Sequence, residues 1–233
     1  MSRELDVVLH FTFLTASLTV WFYRRKFLRE RRFLFVGLFL LSTFIFDGLA
    51  TIIMFNTYLQ QVLENSNLFL YHIVTPIRFS LIMLFYYEEI RNPHIRKAIL
   101  ITIPAYVLMS VFLSLFVQEI QEYNVYQILV HHLLTTVAVL YYFYELVTIM
   151  PFVKVYTQPD FRISVALLFH SVLNVLLEGF SNYLSTYSAE HYGVVYTLFS
   201  LSNYCLFILI TLGFYLSGHK LNANNEDVSG NKR

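Results

Sequence analysis

Charged residues and cysteine are both scarce in this chain of 233 residues. Only 13% of the residues are charged, about half the share found in an ordinary soluble domain, and 57% are hydrophobic. The one cysteine, Cys205, excludes an internal disulfide and a zinc site built on cysteines. The composition therefore excludes a soluble globular protein, and we expect no nucleic-acid partner.

Seven apolar stretches make up most of the chain, and each is about as long as the ~20 residues that cross a hydrocarbon core. They predict an all-α polytopic membrane protein with a single seven-helix domain over residues 1–217. A disordered tail is predicted over residues 218–233, which are polar and rich in Asn. The predicted spans are Val7–Tyr23, Phe33–Met54, Leu68–Tyr87, Ala98–Val117, Val125–Met150, Phe161–Tyr187 and Gly193–Ser217.

The basic residues lie almost entirely on one side of these spans. Of 16 Lys and Arg residues, 14 share one face: six in the first connection, three in the third, two beside the fifth and three in the tail. The positive-inside rule then places the N-terminus outside and the C-terminus in the cytoplasm. Glu4 and Asp6 precede the first span where a signal peptide would carry basic residues. We expect a multi-pass protein of a bacterial inner membrane.

A weak internal repeat pairs the first three spans with the last three. Val8–His10 resembles Leu129–His131, and Asp47–Gly48 matches Glu178–Gly179. This pairing predicts a 3+1+3 parallel repeat whose linking helix is Ala98–Val117. Such a plan resembles that of the SWEET sugar transporters and the bacterial nicotinamide riboside transporters. Chance similarity between apolar helices is the alternative explanation.

Three ionisable residues lie deep inside spans, at similar depths of ~10–15 Å below the outer ends. They are Asp47, Arg78 and Glu178. Each costs roughly 2.5–3.5 kcal/mol on insertion scales, so we predict that Arg78 pairs with Asp47, Glu178 or both. Such a pair either sets only the packing of the helices or belongs to a ligand site. Glu145 lies near the end of its span and is expected to reach the interface or Lys154.

Polar residues at helical spacing follow the second, third, sixth and seventh spans through the same depth. This pattern favours a hydrated or ligand-filled cavity, while hydrogen bonding between helices is the alternative. Pro76 interrupts the third span close to Arg78 and is the predicted hinge. The predicted ligand-binding residues are Asp47, Tyr71, His72, Thr75, Arg78, His132, Asn174, Glu178 and Asn203.

Four of the eight histidines lie toward the outer side, and a fifth, His170, is deeper. Imidazoles with nearby carboxylates can bind a metal ion, and two of them can hold a haem. None of the histidines has the spacing of a known metal motif, so the sequence names no metal and no cofactor. The four outer histidines are His10, His72, His131 and His132.

The stretches Leu70–Phe79, Phe85–Tyr87 and Phe180–Leu184 and the region of Asn203 resemble a family of small seven-span proteins of Bacteroidota. That family is largely uncharacterised, and its members are often encoded near histidine kinases without sensor domains. The resemblance implies a signalling role with a histidine kinase as partner. The family tends to carry Glu where this chain has Arg78, which inverts the local charge and puts a shared ligand in doubt.

The preferred hypothesis is a membrane-embedded sensor or receptor subunit without enzymatic activity. It would bind a small polar or anionic ligand, or a proton, from the outer side and signal to a separate cytoplasmic partner. A small-solute transporter is the first alternative, based on the repeat. A metal-dependent membrane hydrolase is the second, based on the histidines and carboxylates.

Overall fold

The computed structural model describes residues 3–24, 30–62, 67–121, 123–149, 158–187 and 189–230. Within these residues helices are the only regular secondary structure, and no strand is present. The helices are α1 (Arg3–Tyr23), α2 (Arg31–Phe55), α3 (Thr57–Val62), α4 (Phe69–Glu89), α5 (Pro93–Phe116), α6 (Val125–Ile149), α7 (Pro159–Tyr187) and α8 (Ala189–Gly230).

Seven of these helices are long and apolar enough to cross a membrane, and only the short α3 is not. The predicted all-α architecture with seven spans is therefore confirmed. The orientation in the membrane and the internal repeat stay predictions. We name the two ends of the bundle after the predicted orientation: α1 begins at the outer end, and α2 begins at the inner end.

The helix boundaries differ from the predicted spans where polar residues form a helical turn. α5 begins at Pro93 rather than at Ala98, because the Asn92 side chain accepts a hydrogen bond from the His94 amide at 3.0 Å and caps the helix. α3 was not predicted, and Asn56 caps it in the same way. α8 continues to Gly230 through most of the predicted disordered tail, where no proline interrupts the backbone hydrogen bonds.

Six of the long helices form a closed ring. Each contacts the next in the order α1, α2, α4, α6, α7, α8, and α8 returns to α1. α5 lies outside this ring against α4 and α6, and only 17% of its spanning segment is buried, compared with 50% for α4 and for α6. The ring therefore encloses an interior that α5 does not enter.

The inner half of this interior is filled by apolar and aromatic side chains. One continuous cluster of buried side chains joins all six helices of the ring at this level. The buried polar residues concentrate instead in the outer half. The largest fully buried side chains of the inner half include Phe33, Met83, Phe85, Tyr86, Ile163 and Phe214.

Candidate functional site

Three ionisable side chains from three helices form a row in the outer half of the ring. Arg78 on α4 donates from Nη2 to Asp47 Oδ1 on α2 at 2.6 Å. His10 Nε2 on α1 lies 3.0 Å from the other carboxylate oxygen, Asp47 Oδ2. The predicted pairing of Arg78 with Asp47 is therefore present, and His10 is a third member that the predicted site lacked. We call these three residues the outer charge row.

The outer charge row lies inside the bundle rather than against lipid. The side chains of His10 and Arg78 are 20% exposed, and that of Asp47 is 15% exposed. The buried Nε of Arg78 has no hydrogen-bond partner among the described residues. An unsatisfied buried donor costs about 1–3 kcal/mol, and more when it is charged, so this edge of the guanidinium calls for an explanation.

Three histidines on α6 and α7 stand next to the row. The ring centres of His131 and His132 are 4.7 Å apart, and those of His132 and His170 are 5.3 Å apart. The three rings therefore form one contiguous group across α6 and α7. The ring centre of Phe79, which follows Arg78 on α4, lies 5.6 Å from that of His131.

Neighbouring amide and hydroxyl groups hold these histidines in place. Asn174 Nδ2 donates to the backbone oxygen of His170 at 2.7 Å, and His170 Nδ1 lies 3.0 Å from Ser202 Oγ on α8. His132 Nδ1 lies 3.4 Å from Ser171 Oγ. The predicted site residues His132 and Asn174 therefore belong to the same polar region as Arg78.

A second carboxylate, that of Asp6, connects the outer parts of α1 and α8. Tyr196 donates to Asp6 Oδ2 at 2.6 Å, and Tyr204 donates both to Asp6 Oδ1 and to the backbone oxygen of Asp6. Asp6 precedes His10 by four residues on α1, which places both side chains on one face of the helix, so this cluster adjoins the outer charge row. Neither tyrosine nor Asp6 was among the predicted site residues.

Glu178 does not join the outer charge row. Its Oε1 accepts a hydrogen bond from the Tyr123 hydroxyl at 2.7 Å, and the residue is 1% exposed. Among the described residues, the only ion pair of Arg78 is with Asp47. The possibility that Arg78 also pairs with Glu178 is therefore wrong, because the rotation of α7 turns Glu178 toward the α5–α6 connection.

The remaining predicted residues of α4 belong to a buried network with α5 and α6. Asn124 Nδ2 donates to Thr75 Oγ1 at 2.9 Å and to the backbone carbonyl oxygen of Tyr71 at 3.0 Å. Gln127 Nε2 donates to Ser114 Oγ at 2.7 Å, and this hydroxyl lies 2.8 Å from His72 Nδ1. These hydrogen bonds connect the outer part of α4 to α5 and to the beginning of α6.

Pro76 lies within α4 between this network and Arg78, as predicted, and its role as a hinge stays a prediction. Asn203 is half-buried on α8, and its side chain makes no hydrogen bond within the described chain. Glu145 accepts from the backbone amides of Arg91 at 2.7 Å and Asn92 at 2.9 Å. It therefore holds the α4–α5 connection, whereas its other expected partner, Lys154, lies outside the described residues.

Two cavities of the described chain, of about 500 and 550 Å³, lie away from this polar region. The first lies on α1 and reaches Phe44 of α2, and the second surrounds the outer end of α5 at residues 114–121. Neither contains a predicted site residue. In the described part of the chain, no group of three or more His, Cys, Asp and Glu side chains is arranged to hold a metal ion.

Comparison of the chain with protein-family models, with curated proteins and with solved structures finds no match. The resemblance to the seven-span Bacteroidota family therefore stays a prediction. Any function must be argued from the geometry of the chain itself. Some missed residues had a signal in the sequence: His10 occupies the repeat position that corresponds to His131, and Asn124 and Gln127 are amides at the start of an apolar helix.

Proposed function

We propose that this integral membrane protein is a receptor subunit that binds a small polar ligand in the outer half of its helix ring. The proposal rests on the difference between the polar outer half and the apolar inner half of the ring interior. Its outer half contains the outer charge row, three histidines and several buried amides. Its inner half is filled by the apolar core, which favours binding over passage through the bundle.

The two helices that form the outer ion pair can carry a change at this site to the inner end. α2 carries Asp47 in its outer half and Arg32 at its inner end, while α4 carries Arg78 and Glu89 in the corresponding places. Arg32 Nη1 donates to Glu89 Oε1 at 2.9 Å. A ligand that moves Arg78 relative to Asp47 would therefore also change the contact between Arg32 and Glu89.

α7 supplies an alternative partner at that inner end. Arg32 Nη1 also donates to Asp160 Oδ2 on α7 at 3.0 Å. A shift of α4 would weaken the bond to Glu89 and leave Arg32 with Asp160, which changes how the inner ends of three helices are held together. A separate cytoplasmic protein, which the family resemblance suggests to be a histidine kinase, would read this change.

Affinity capture from native membranes tests the receptor proposal. We expect the tagged full chain, cross-linked before solubilisation, to enrich a histidine kinase. A chain in which Arg32→Gln removes the inner bonds should enrich it several-fold less. An Arg31→Gln chain is the matched control, because Arg31 is the exposed neighbour on the same helix. Equal recovery with all three chains, or no kinase with any of them, would contradict the proposal.

A small-solute transporter is the second candidate. The ring places α5 outside two groups of three helices, which is the position that a linking helix has in a 3+1+3 plan. Uptake into proteoliposomes separates the two functions. A receptor should show no solute flux above that of empty liposomes, whereas a saturable flux would favour the transporter.

A further inference from the structure

Three acidic side chains share one cation at the inner end of the ring. Arg32 on α2 donates from Nη1 both to Glu89 Oε1 on α4 at 2.9 Å and to Asp160 Oδ2 on α7 at 3.0 Å. Its Nε and Nη2 both donate to one oxygen of Glu30. Each nitrogen of the guanidinium thus bonds an acid. We call Arg32, Glu89 and Asp160 the inner junction.

The two acids of the inner junction are poorly solvated. The side chains of Glu89 and Asp160 are each 7% exposed, whereas that of Glu30 is 50% exposed. One turn farther along the same two helices, the buried Tyr86 hydroxyl of α4 donates to Ser164 Oγ of α7 at 3.2 Å. Little solvent therefore reaches Glu89 and Asp160 to stabilise two full negative charges.

The carboxyl groups of Glu89 and Asp160 are direct neighbours. Both accept a bond from the same nitrogen of Arg32, and they lie within hydrogen-bonding reach of each other. Two ionised carboxylates have only acceptor atoms and cannot bond each other, and such a pair does not ionise twice. Asp160 Oδ1 is buried and has no partner in the described chain, and a proton shared with Glu89 gives it one.

The charges of the cluster agree with one bound proton. If Glu30, Glu89 and Asp160 were all ionised, the single charge of Arg32 would leave two negative charges without a cation. One proton on the buried pair neutralises the inner junction. The charge that remains belongs to the half-exposed Glu30, where solvent screens it.

We infer that the inner junction is a proton-binding site, in which Glu89 and Asp160 share one proton that makes the contact between α4 and α7 depend on pH. This inference goes beyond the proposed receptor function and does not require it. The Arg32 side chain is 33% exposed, so the proton exchanges with solvent along it. Loss of the proton leaves two buried carboxylates that repel each other across one guanidinium, which weakens the contact between the two helices.

The other titratable groups near the pair cannot replace this proton. Tyr86 on α4 and Tyr142 on α6 are buried with ring centres 6.1 Å apart, and phenols are uncharged at neutral pH. Arg162 follows Asp160 by two residues on α7, and residues at this spacing do not face the same side of a helix. Within the described residues, Arg32 is the one cation that forms an ion pair with either acid.

Infrared spectroscopy of the purified full chain in detergent detects a protonated carboxyl group, because its C=O stretching band lies apart from the bands of carboxylates. We expect wild type to show this band at neutral pH and to lose it as the pH rises. Asp160→Asn and Glu89→Gln should each remove the intensity of one carboxyl group. Glu88→Gln, at the half-buried residue beside Glu89, is the matched control and should keep the wild-type band.

The pH dependence of unfolding measures the effect of the proton on the fold. An unfolded Asp or Glu has lost its proton above about pH 4, so the folded chain alone holds it and loses stability as the pH rises. We expect the unfolding constant of wild type, divided by that of Asp160→Asn, to rise by up to about tenfold per pH unit. The rise should start near about pH 5 and end where the infrared band disappears. Glu88→Gln should follow wild type.

Three results would overturn the inference. The first is a wild-type chain without a carboxylic acid band at neutral pH. The second is a full band in both Asp160→Asn and Glu89→Gln, and the third is the same pH dependence of unfolding in wild type and Asp160→Asn. The first measurement needs only the wild-type chain, so it decides the matter even if a variant fails to fold. All three are separate from the receptor test, because they involve no partner protein and no ligand.

Discussion

A single glycine allows the first two long helices to approach each other. The indole of Trp21 on α1 lies directly over Gly37 on α2 and donates from Nε1 to the Phe33 oxygen at 3.1 Å. A Cβ atom at Gly37 would lie 1.9 Å from Cε2 of this ring, far inside contact distance. The absence of a side chain at this residue is therefore what makes the contact possible.

Gly37→Ala is expected to destabilise the protein by roughly 1–3 kcal/mol, the usual cost of overpacking. The ring must move and lose its hydrogen bond. Because Trp21 is the one tryptophan of the chain, its fluorescence during unfolding in detergent reports this contact. Gly48→Ala on the same helix is the control, since the nearest atom to its Cβ is Phe11 Cε1 at 4.0 Å. Equal unfolding midpoints for the two variants would show that the ring accommodates a methyl group.

The connection between α4 and α5 shows how one side chain fixes the relation of two helices. Both carboxylate oxygens of Glu145 on α6 accept backbone amides from this three-residue connection, and Asn92 also donates to the Tyr141 hydroxyl at 3.0 Å. Among the described residues, α5 packs mainly against α4 and α6 of the ring. The two hydrogen bonds from these amides to Glu145 are therefore a main determinant of where α5 begins.

Glu145→Ala should lower the free energy of unfolding by roughly 3 kcal/mol, because it leaves two partly buried backbone amides without their charged acceptor. Glu145→Gln keeps one acceptor oxygen and should lose about half as much. Chemical unfolding in mixed micelles, followed by circular dichroism, measures both variants. Glu88→Ala, a half-buried acid on α4, is the control and should change stability by about 0.5 kcal/mol or less. If Glu145→Gln lowered the free energy of unfolding as much as Glu145→Ala does, the negative charge of Glu145, rather than the position of its acceptor oxygens, would account for the stabilisation.

At the scale of the whole molecule, one guanidinium joins the inner ends of three helices. Arg32 bonds Glu30 beside α2, Glu89 of α4 and Asp160 of α7, so three carboxylates share one cation. The side chains of Glu89 and Asp160 are each 7% exposed, and Asp160 Oδ1 has no partner in the described chain. The cluster therefore carries excess negative charge where it is poorly solvated.

This charge excess predicts opposite outcomes for two neutral substitutions. Arg32→Gln leaves two buried carboxylates without their cation and should destabilise by roughly 3 kcal/mol. Asp160→Asn keeps an acceptor oxygen for Arg32 and removes one repelling charge, so stability should stay equal or rise. Thermal unfolding in detergent at neutral pH compares them, with Arg31→Gln as the exposed control. Equal losses for Arg32→Gln and Asp160→Asn would contradict the charge argument.

The sequence by itself determined that the chain is helical and how many times it can cross a membrane. Backbone polar groups must be satisfied within each segment in lipid, so runs of about 20 apolar residues can only be helices. It also determined that Arg78 needs a carboxylate, because an isolated guanidinium is too costly in a span. Asp47 was one of only two acids at the right depth, and the structure selects it.

The tertiary structure alone decided which side chains meet. The ring order, the outside position of α5, the place of His10 beside Asp47 and the separation of Glu178 from Arg78 all depend on how each helix is rotated and which neighbour it faces. Hydropathy and spacing carry no such information, since a polar residue at a given depth can point toward several helices. In the sequence, Arg32 is separated from Glu89 by 57 positions and from Asp160 by 128 positions. Only the packing of the helices brings these three residues together.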